Sequence, residues 1–472
     1  MKTLFLICMK NILVAILLTC ITISACKKNS FITGNASVST SVDSLHFDTL
    51  FTSTGSVTKL FKVFNQNDQK LRISEVALGG GASSPFKINV DGFTGPSVKD
   101  LEVEANDSLY VFVTIKIDPT AANLPFILQD SVHIRYNNQD QWVQLDAWGQ
   151  NAHFLRSHLI DADETWTNDR PYVILGGLQV AENVTLTIPK GTRVYLHADA
   201  PILIDGTLKA NGGTDEKDRI TFLGDRLDDP YRNFPASWPG IYFRSKSVNN
   251  QLQFAEIRNA YQGIVADQPS TNAQPKLALK ECIIDNCFDA GIMAIHSSIT
   301  AENCLVSNCG KNLVLVQGGN YDFTFCTVAS YSNSYIQHKD PVLTLTDYFK
   351  QGSSIATADL QASFVNSIFW GDNGNVNNEV LVQKQGNGIF NAGFTNCLMK
   401  VKDNPANSTL TNVIQNQDPL FVKIDTQKKL YDFRLKAGSP AIDKGIATAI
   451  TIDLDGNPRT VNLPDLGCYE KQ

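Results

Sequence analysis

Residues 279–287 read LKECIIDNC, 299–309 read ITAENCLVSNC and 321–328 read YDFTFCTV. Their shared cysteines, Cys282, Cys304 and Cys326, stand 22 residues apart, and Asn286 and Asn308 repeat at the same interval. Short apolar stretches on a constant period of this length, without helical spacing, describe a chain that winds one coil per repeat. Stacked coils bury inward side chains against their neighbours. The three cysteines should therefore form an inward, reduced column, and the two asparagines a ladder at one corner.

Working back from these coils, residues 166–243 carry short strands ending at glycine turns, with no helical stretch between them. Pro189-Lys-Gly-Thr192, residues 202–208 (ILIDGTL) and residues 238–241 (WPGI) stand in order ahead of the 22-residue repeats. Working forward, less regular coils follow at residues 362–370 and 394–398. The insertion 331–360 and the polar run 372–378 are expected to project as loops and to be places for specificity. Four phrases close the chain: DPLF at 418–421, YDFRLKAGSPAID at 431–443, DLDGNPR at 453–459 and PDLGCY at 464–469.

These opening and closing phrases resemble those of the right-handed parallel β-helix, or pectate-lyase-like, proteins, over residues 166–472. The resemblance implies a solenoid with a C-terminal cap. Lyases of that family hold calcium with aspartates and use a basic residue as proton acceptor, while its hydrolases carry Asn-Thr-Asp, Asp-Asp and Gly-His-Gly strings. Of the three strings, Asn-Thr-Asp and Gly-His-Gly do not occur here and Asp-Asp occurs once, at Asp228-Asp229; without the other two no catalytic residue is carried over. The ionisable residues on the regular coils are Glu256, Arg258, Glu281, Asp285, Asp289, Glu302 and Lys311. They could form a shallow outer cleft or a solvated surface. The aromatics Trp166, Tyr231, Phe234, Trp238, Tyr242 and Tyr261 could stack on sugar rings or fill the first coils. Asp453-Leu-Asp-Gly456 is similar to an abbreviated calcium loop but lacks the remaining ligands and closing glutamate, so a plain turn is expected and no cofactor or metal is assigned.

Residues 41–152 differ in texture. Runs such as 59–64, 71–78, 86–90, 109–117, 131–136 and 142–148 alternate apolar and polar residues between turn signals. About seven half-buried strands in such a span read as an antiparallel β-sandwich. Residues 61–65 (FKVFN), 71–73 (LRI) and 84–88 (SPFKI) resemble immunoglobulin-like domains of bacterial surface proteins, which implies a spacer or contact module.

The first 25 residues carry Lys2 and Lys10, then an apolar run at 12–23 that is short for a membrane span. The run ends Ile23-Ser-Ala-Cys26, which resembles the lipobox of bacterial lipoproteins. The resemblance implies cleavage before Cys26 and its lipidation. Lys27, where an inner-membrane retention signal would have aspartate, implies an outer-membrane anchor on either leaflet.

The expected organisation is thus all-β: signal 1–25, polar tether 26–40, sandwich 41–152, β-helix 153–415 and cap segment 416–472. A net charge of −7 with no basic stripe excludes nucleic acid as a partner. Seven cysteines follow Cys26, an odd number, and their Cys-x4-Cys spacing without paired histidines argues against zinc. Two functions stay open: non-catalytic display of a rigid solenoid that binds glycan or a protein partner, and a lyase or glycoside hydrolase with a divergent site.

Overall fold

The computed structural model describes residues 30–51, 58–115, 126–372, 376–459 and 462–472. The signal segment and Cys26 lie outside them. Among the described residues no helix is long and apolar enough to cross a membrane. The chain divides into two compact units, 1–150 and 151–472.

The first unit holds two five-stranded sheets. Alternation does the work: Phe61 and Val63, Val111 and Val113, and Val143, Leu145 and Ala147 point inward and are fully buried. They join one core shared by both sheets, which makes the unit a sandwich. Among the described strands of this unit pairing is antiparallel except for Ser44–Phe51, which runs parallel to Gln139–Gln150. Val38–Thr40, in the segment expected to be tether, pairs with Lys59–Asn65 as an edge strand. Asn65 secures that edge by donating its Nδ2 to the Gln69 and Glu104 carbonyls.

The second unit is a parallel β-helix whose 26 strands form one continuous sheet among the described residues. Each strand pairs in parallel with its counterpart on the next coil, giving three walls. Ala255–Arg258, Ile283–Asp285 and Leu305–Ser307 illustrate the first wall. Ile241–Phe243, Gln262–Asp267 and Ala290–Glu302 open onto the second, and Asn250–Gln253 and Leu277–Lys280 lie in the third. The last strand of the sheet is Ile414–Gln415.

Coils turn by placing single residues in the left-handed region. One corner uses Glu281, Asn303, Phe325, Asn366, Asn396 and Asn412, all with φ between 49° and 54°. Another uses Asn259, Asn286 and Asn308 at 63°, 56° and 52°. Asparagine tolerates this conformation better than most side chains do, which is why it recurs on the coil period. Asn286 and Asn308 share this corner as expected, but the side-chain bond runs to a coil outside the expected pair, Asn286 Nδ2 donating to Asn259 Oδ1 at 2.7 Å. Asn308 Nδ2 donates to Asp285 Oδ1 at 3.2 Å and not to Asn286, because a carboxylate is the stronger acceptor.

Cys282, Cys304 and Cys326 are buried, free and stacked. The register places Ser367 and then Cys397 above them. Each thiol donates to a nearby carbonyl, as Cys304 does to Glu302 O at 3.3 Å, and burial pushes the Cys282 and Cys304 thiols well above their usual range. The column holds residues small enough for the corner. Cys304→Asp would bury an unpaired carboxylate there, and the urea midpoint of this unit should fall by an amount equivalent to more than about 3 kcal/mol. Rapid alkylation of these thiols in the native protein would contradict the packing.

The closing segment, expected as a cap, runs along the outside of the first wall and reaches back toward the early coils. Outward residues Leu305, Ile368 and Leu398 pack with Phe421, Phe433, Leu454, Leu466 and Tyr469 in a second core. Arg219 Nη2 donates to Leu454 O at 2.6 Å, and Cys468 N to Thr327 Oγ1 at 3.0 Å. The segment is a lateral strap over several coils. The wall beneath it is apolar on both faces, and the strap is what keeps its outer face from water.

Candidate functional site

Of the ionisable residues on the regular coils, most are spent on structure. Arg258 is held between Glu256 and Asp285, at 3.1 Å from each. Asp285 also accepts from Ser307 Oγ at 2.7 Å. Arg258, Asp285 and Ser307 face a cleft of about 160 Å³ closed by the strap residues Tyr431, Arg434 and Tyr469. Glu281 is buried, accepts from Asn303 Nδ2 at 3.1 Å, and has its pKa raised by that burial. Glu302 pairs with Lys280 at 2.9 Å.

Asp289 and Lys311 differ, because they face an open groove. Lys311 Nζ stands 3.5 Å from Asp289 Oδ1, and Gln262 Nε2 donates to Asp289 Oδ2 at 2.7 Å. Tyr242 Oη lies 3.5 Å from Gln262 Oε1 and extends the row to a fourth coil. One polar side chain per coil repeats at the inter-strand spacing of about 4.8 Å. Beside this row, Tyr261 and Phe288 are exposed and stacked, with ring centroids 5.9 Å apart. Each follows a corner asparagine by two residues, Asn259 and Asn286. Gly310 holds that place after Asn308, and a Cβ there would come 2.2 Å from Phe288 O.

The opposite wall comes from the first insertion. Ser334, Tyr335, Ile336, Gln337, Lys339 and Asp340 close a groove of about 360 Å³ against Phe288, Asp289, Gly310 and Lys311. Tyr335 meets Phe234 edge-on at 5.0 Å, Phe234 meets Tyr231 at 5.2 Å, and Lys429 Nζ sits 3.6 Å from the Tyr335 ring centroid. This stretch of the insertion is not a free loop. His338 is buried with Nε2 at 3.0 Å from both oxygens of Glu379, and Lys400 Nζ lies 3.7 Å from Glu379 Oε1. Ser332 N donates to Asp372 Oδ2 at 2.9 Å. Gly371 is required beside them, since a Cβ would come 2.1 Å from Glu379 Oε1 and 2.3 Å from His338 Nε2. The later hairpin, Tyr348–Gln351 with Ser354–Thr357, projects from Lys350 to Thr357, while Phe349 packs on Ala290, Val314 and Val316.

The aromatics named from sequence therefore divide. Trp166 and Trp238 are core, Tyr242 and Phe234 are half-buried, and Tyr231 and Tyr261 are exposed. Phe288 and Tyr335 were not singled out in the sequence. The signal for Phe288 was its place two residues beyond a corner asparagine, which repeats that of Tyr261.

The Asp453 loop is engaged throughout. Asp453 Oδ1 accepts the amides of Asp455 and Asn457 at 2.9 and 2.8 Å, and its Oδ2 that of Glu470 at 3.0 Å. Asp455 Oδ2 takes Arg434 Nη2 at 2.6 Å. This is a carboxylate-capped turn joined to the strap. Among the described residues no three histidine, cysteine, aspartate or glutamate side chains converge as a metal-binding group.

No family model matches the chain, and no curated protein matches it in sequence. Several solved structures align with parts of it. The catalytic domain of a family 87 α-1,3-glucanase in complex with nigerose covers 77% of this chain and 87% of its own, at 11% identity and TM-score 0.22. A family 123 glycoside hydrolase from Clostridium perfringens aligns over 25% of this chain, which spans 30% of that enzyme, at 12% identity and TM-score 0.20. A Salmonella enterica SafA pilin with its SafB chaperone aligns over 25% of this chain and 57% of its own, at 12% identity and TM-score 0.17. Superpositions at these scores identify neither a family nor an activity.

Proposed function

We propose that this chain is an envelope lipoprotein, lipidated at Cys26, whose β-helix binds a polysaccharide along the lateral groove without cleaving it. The observation that carries the reading is the exposed Tyr261–Phe288 stack beside the Gln262–Asp289–Lys311 row. Two rings left in water on a rigid wall offer flat apolar faces for the C–H surface of sugars. The amide and carboxylate beside them suit hydroxyl groups. Asp289 has both oxygens engaged, and so presents a fixed hydrogen-bonding edge instead of a free acid. A solenoid repeats that arrangement along its axis, which fits an extended polymer.

Affinity electrophoresis of the purified protein against a polysaccharide panel tests the binding. At least one polymer should retard the wild type, and Tyr261→Ala/Phe288→Ala should bind it at least about tenfold more weakly, the equivalent of about 1.4 kcal/mol. New reducing ends or unsaturated-uronate absorbance would make the protein an enzyme and end the non-catalytic reading. Cell fractionation tests the anchor: Cys26→Ala should move the chain to the soluble fraction, and retention in the membrane with unchanged mass would refute lipidation.

A further inference from the structure

We infer that the groove takes an uncharged glycan, a neutral hexose polymer lying along the solenoid axis, and not a polyuronate or a sulfated chain. This deepens the glycan reading above and rests on it.

The charged groups lining the groove are Asp289, Lys311, Lys339 and Asp340, two of each sign. A second cavity of about 450 Å³ adjoins it, sharing Ser334 and Gln337. That cavity is lined by Ser332, Asn333, Ser334, Gln337, Thr426 and Gln427. Its lining offers hydroxyls and carboxamides alone, groups that donate to and accept from sugar hydroxyls without selecting for charge.

Recognition of a polyanion needs cations free to meet it, preferably guanidinium forks. Four of the cations near this face are already committed, which leaves Lys339 beside its sequence neighbour Asp340. Lys311 faces Asp289 at 3.5 Å. Lys429 lies on the Tyr335 ring at 3.6 Å. Arg226 forks onto Asp228 at 2.8 and 2.9 Å, and Arg232 onto Asp229 at 2.7 Å. The chain as a whole carries −7, so its long-range field repels polyanions. Orientation follows from the row. Tyr242, Gln262, Asp289 and Lys311 advance one coil at a time, so a polymer following them runs along the axis and meets the aromatic pair side-on.

The test is affinity electrophoresis of the full mature protein in gels containing neutral polymers (dextran, laminarin, mannan, galactomannan) or acidic ones (polygalacturonate, alginate, chondroitin sulfate), at low and high ionic strength. A neutral polymer should retard the protein with less than about a twofold change between the two salt conditions, since an uncharged ligand has no screened term. The acidic polymers should not retard it. Asp289→Asn, which leaves Lys311 without its counter-charge, should gain retardation by polygalacturonate that disappears at high salt. Preferential, salt-sensitive retention of an acidic polymer by the wild type would overturn the neutral-ligand inference while leaving glycan binding intact. Failure of every polymer in both classes to retard the wild type would instead remove the glycan reading itself.

Discussion

Lys276→Met is expected to lower the unfolding free energy of the β-helix by about 2 to 6 kcal/mol, from two carbonyl oxygens, those of Ser245 and Ser247, orphaned at about 1–3 kcal/mol each. Lys276 is fully buried, and its Nζ donates to Arg244 O at 2.9 Å, Ser245 O at 3.1 Å and Ser247 O at 2.9 Å. Those carbonyls lie in the turn between Ile241–Phe243 and Asn250–Gln253, where Arg244 O also accepts the Ser247 amide at 2.9 Å and the other two depend on the ammonium. The ammonium has three protons for three acceptors. Burial lowers its pKa to about 8, so near neutrality the charged, triply donating form is still available. Methionine matches the stem and supplies no donor, whereas Lys276→Gln keeps two and should lose less. Urea midpoints for the three proteins, with hydrogen exchange at residues 244–250, decide it. A methionine variant within about 1 kcal/mol of wild type, which is the usual range of surface substitutions and less, would show that water replaces the ammonium at no cost.

How much of this was legible in the sequence follows from the physics of each element. The coil period was, because each coil contributes one residue to the thiol column and one to the asparagine corner, so spacing becomes stacking. Ser367 interrupts the column without breaking it, since its Oγ accepts the Cys326 amide at 3.1 Å. The lateral strap was not read, although a sign of it existed. Ile283-Ile284, Leu305-Val306, Ile368-Phe369 and Leu398-Met399 are consecutive apolar pairs on one wall, and apolar residues on both faces of a strand mean that both faces are covered. The groove was half legible. Aromatic side chains and Asp289 were visible as candidates, but exposure is decided by which coil closes over them. The His338–Glu379 contact spans 41 residues and two insertions of unequal length, so no repeat in the sequence announces it.

Arg459→Met is the second large effect expected, and it bears on what the strap does. Arg459 Nη1 donates to Glu470 Oε2 at 2.9 Å, while Nη2 donates to Asn303 Oδ1 and Gly467 O, both at 2.9 Å. Its guanidinium also lies 4.1 Å from the Phe325 ring centroid. Asn303 in turn donates to Ile452 O at 2.8 Å and to Glu281 Oε1 at 3.1 Å. One side chain thus ties the strap to a corner residue of the coil stack. Burial lowers the Arg459 pKa and raises that of Glu470, so each ion depends on the other to remain charged there. Removing the arginine alone leaves a buried carboxylate without its partner, a loss of about 3 to 5 kcal/mol. The strap should then lift, with faster hydrogen exchange and proteolysis across residues 445–459 and 462–472 while the thiol column stays protected from alkylation. Arg459→Met/Glu470→Met removes both charges and should recover more than half of the loss, because the unpaired ion is what costs most. If the double variant is instead as unstable as the sum of its singles, the two side chains do not couple, and each holds the strap through its other hydrogen bonds, Arg459 to Asn303 and Gly467 and Glu470 to the Asp465 amide. If the single variant exchanges like wild type, the apolar contacts of Phe421, Phe433 and Leu466 hold the strap without it.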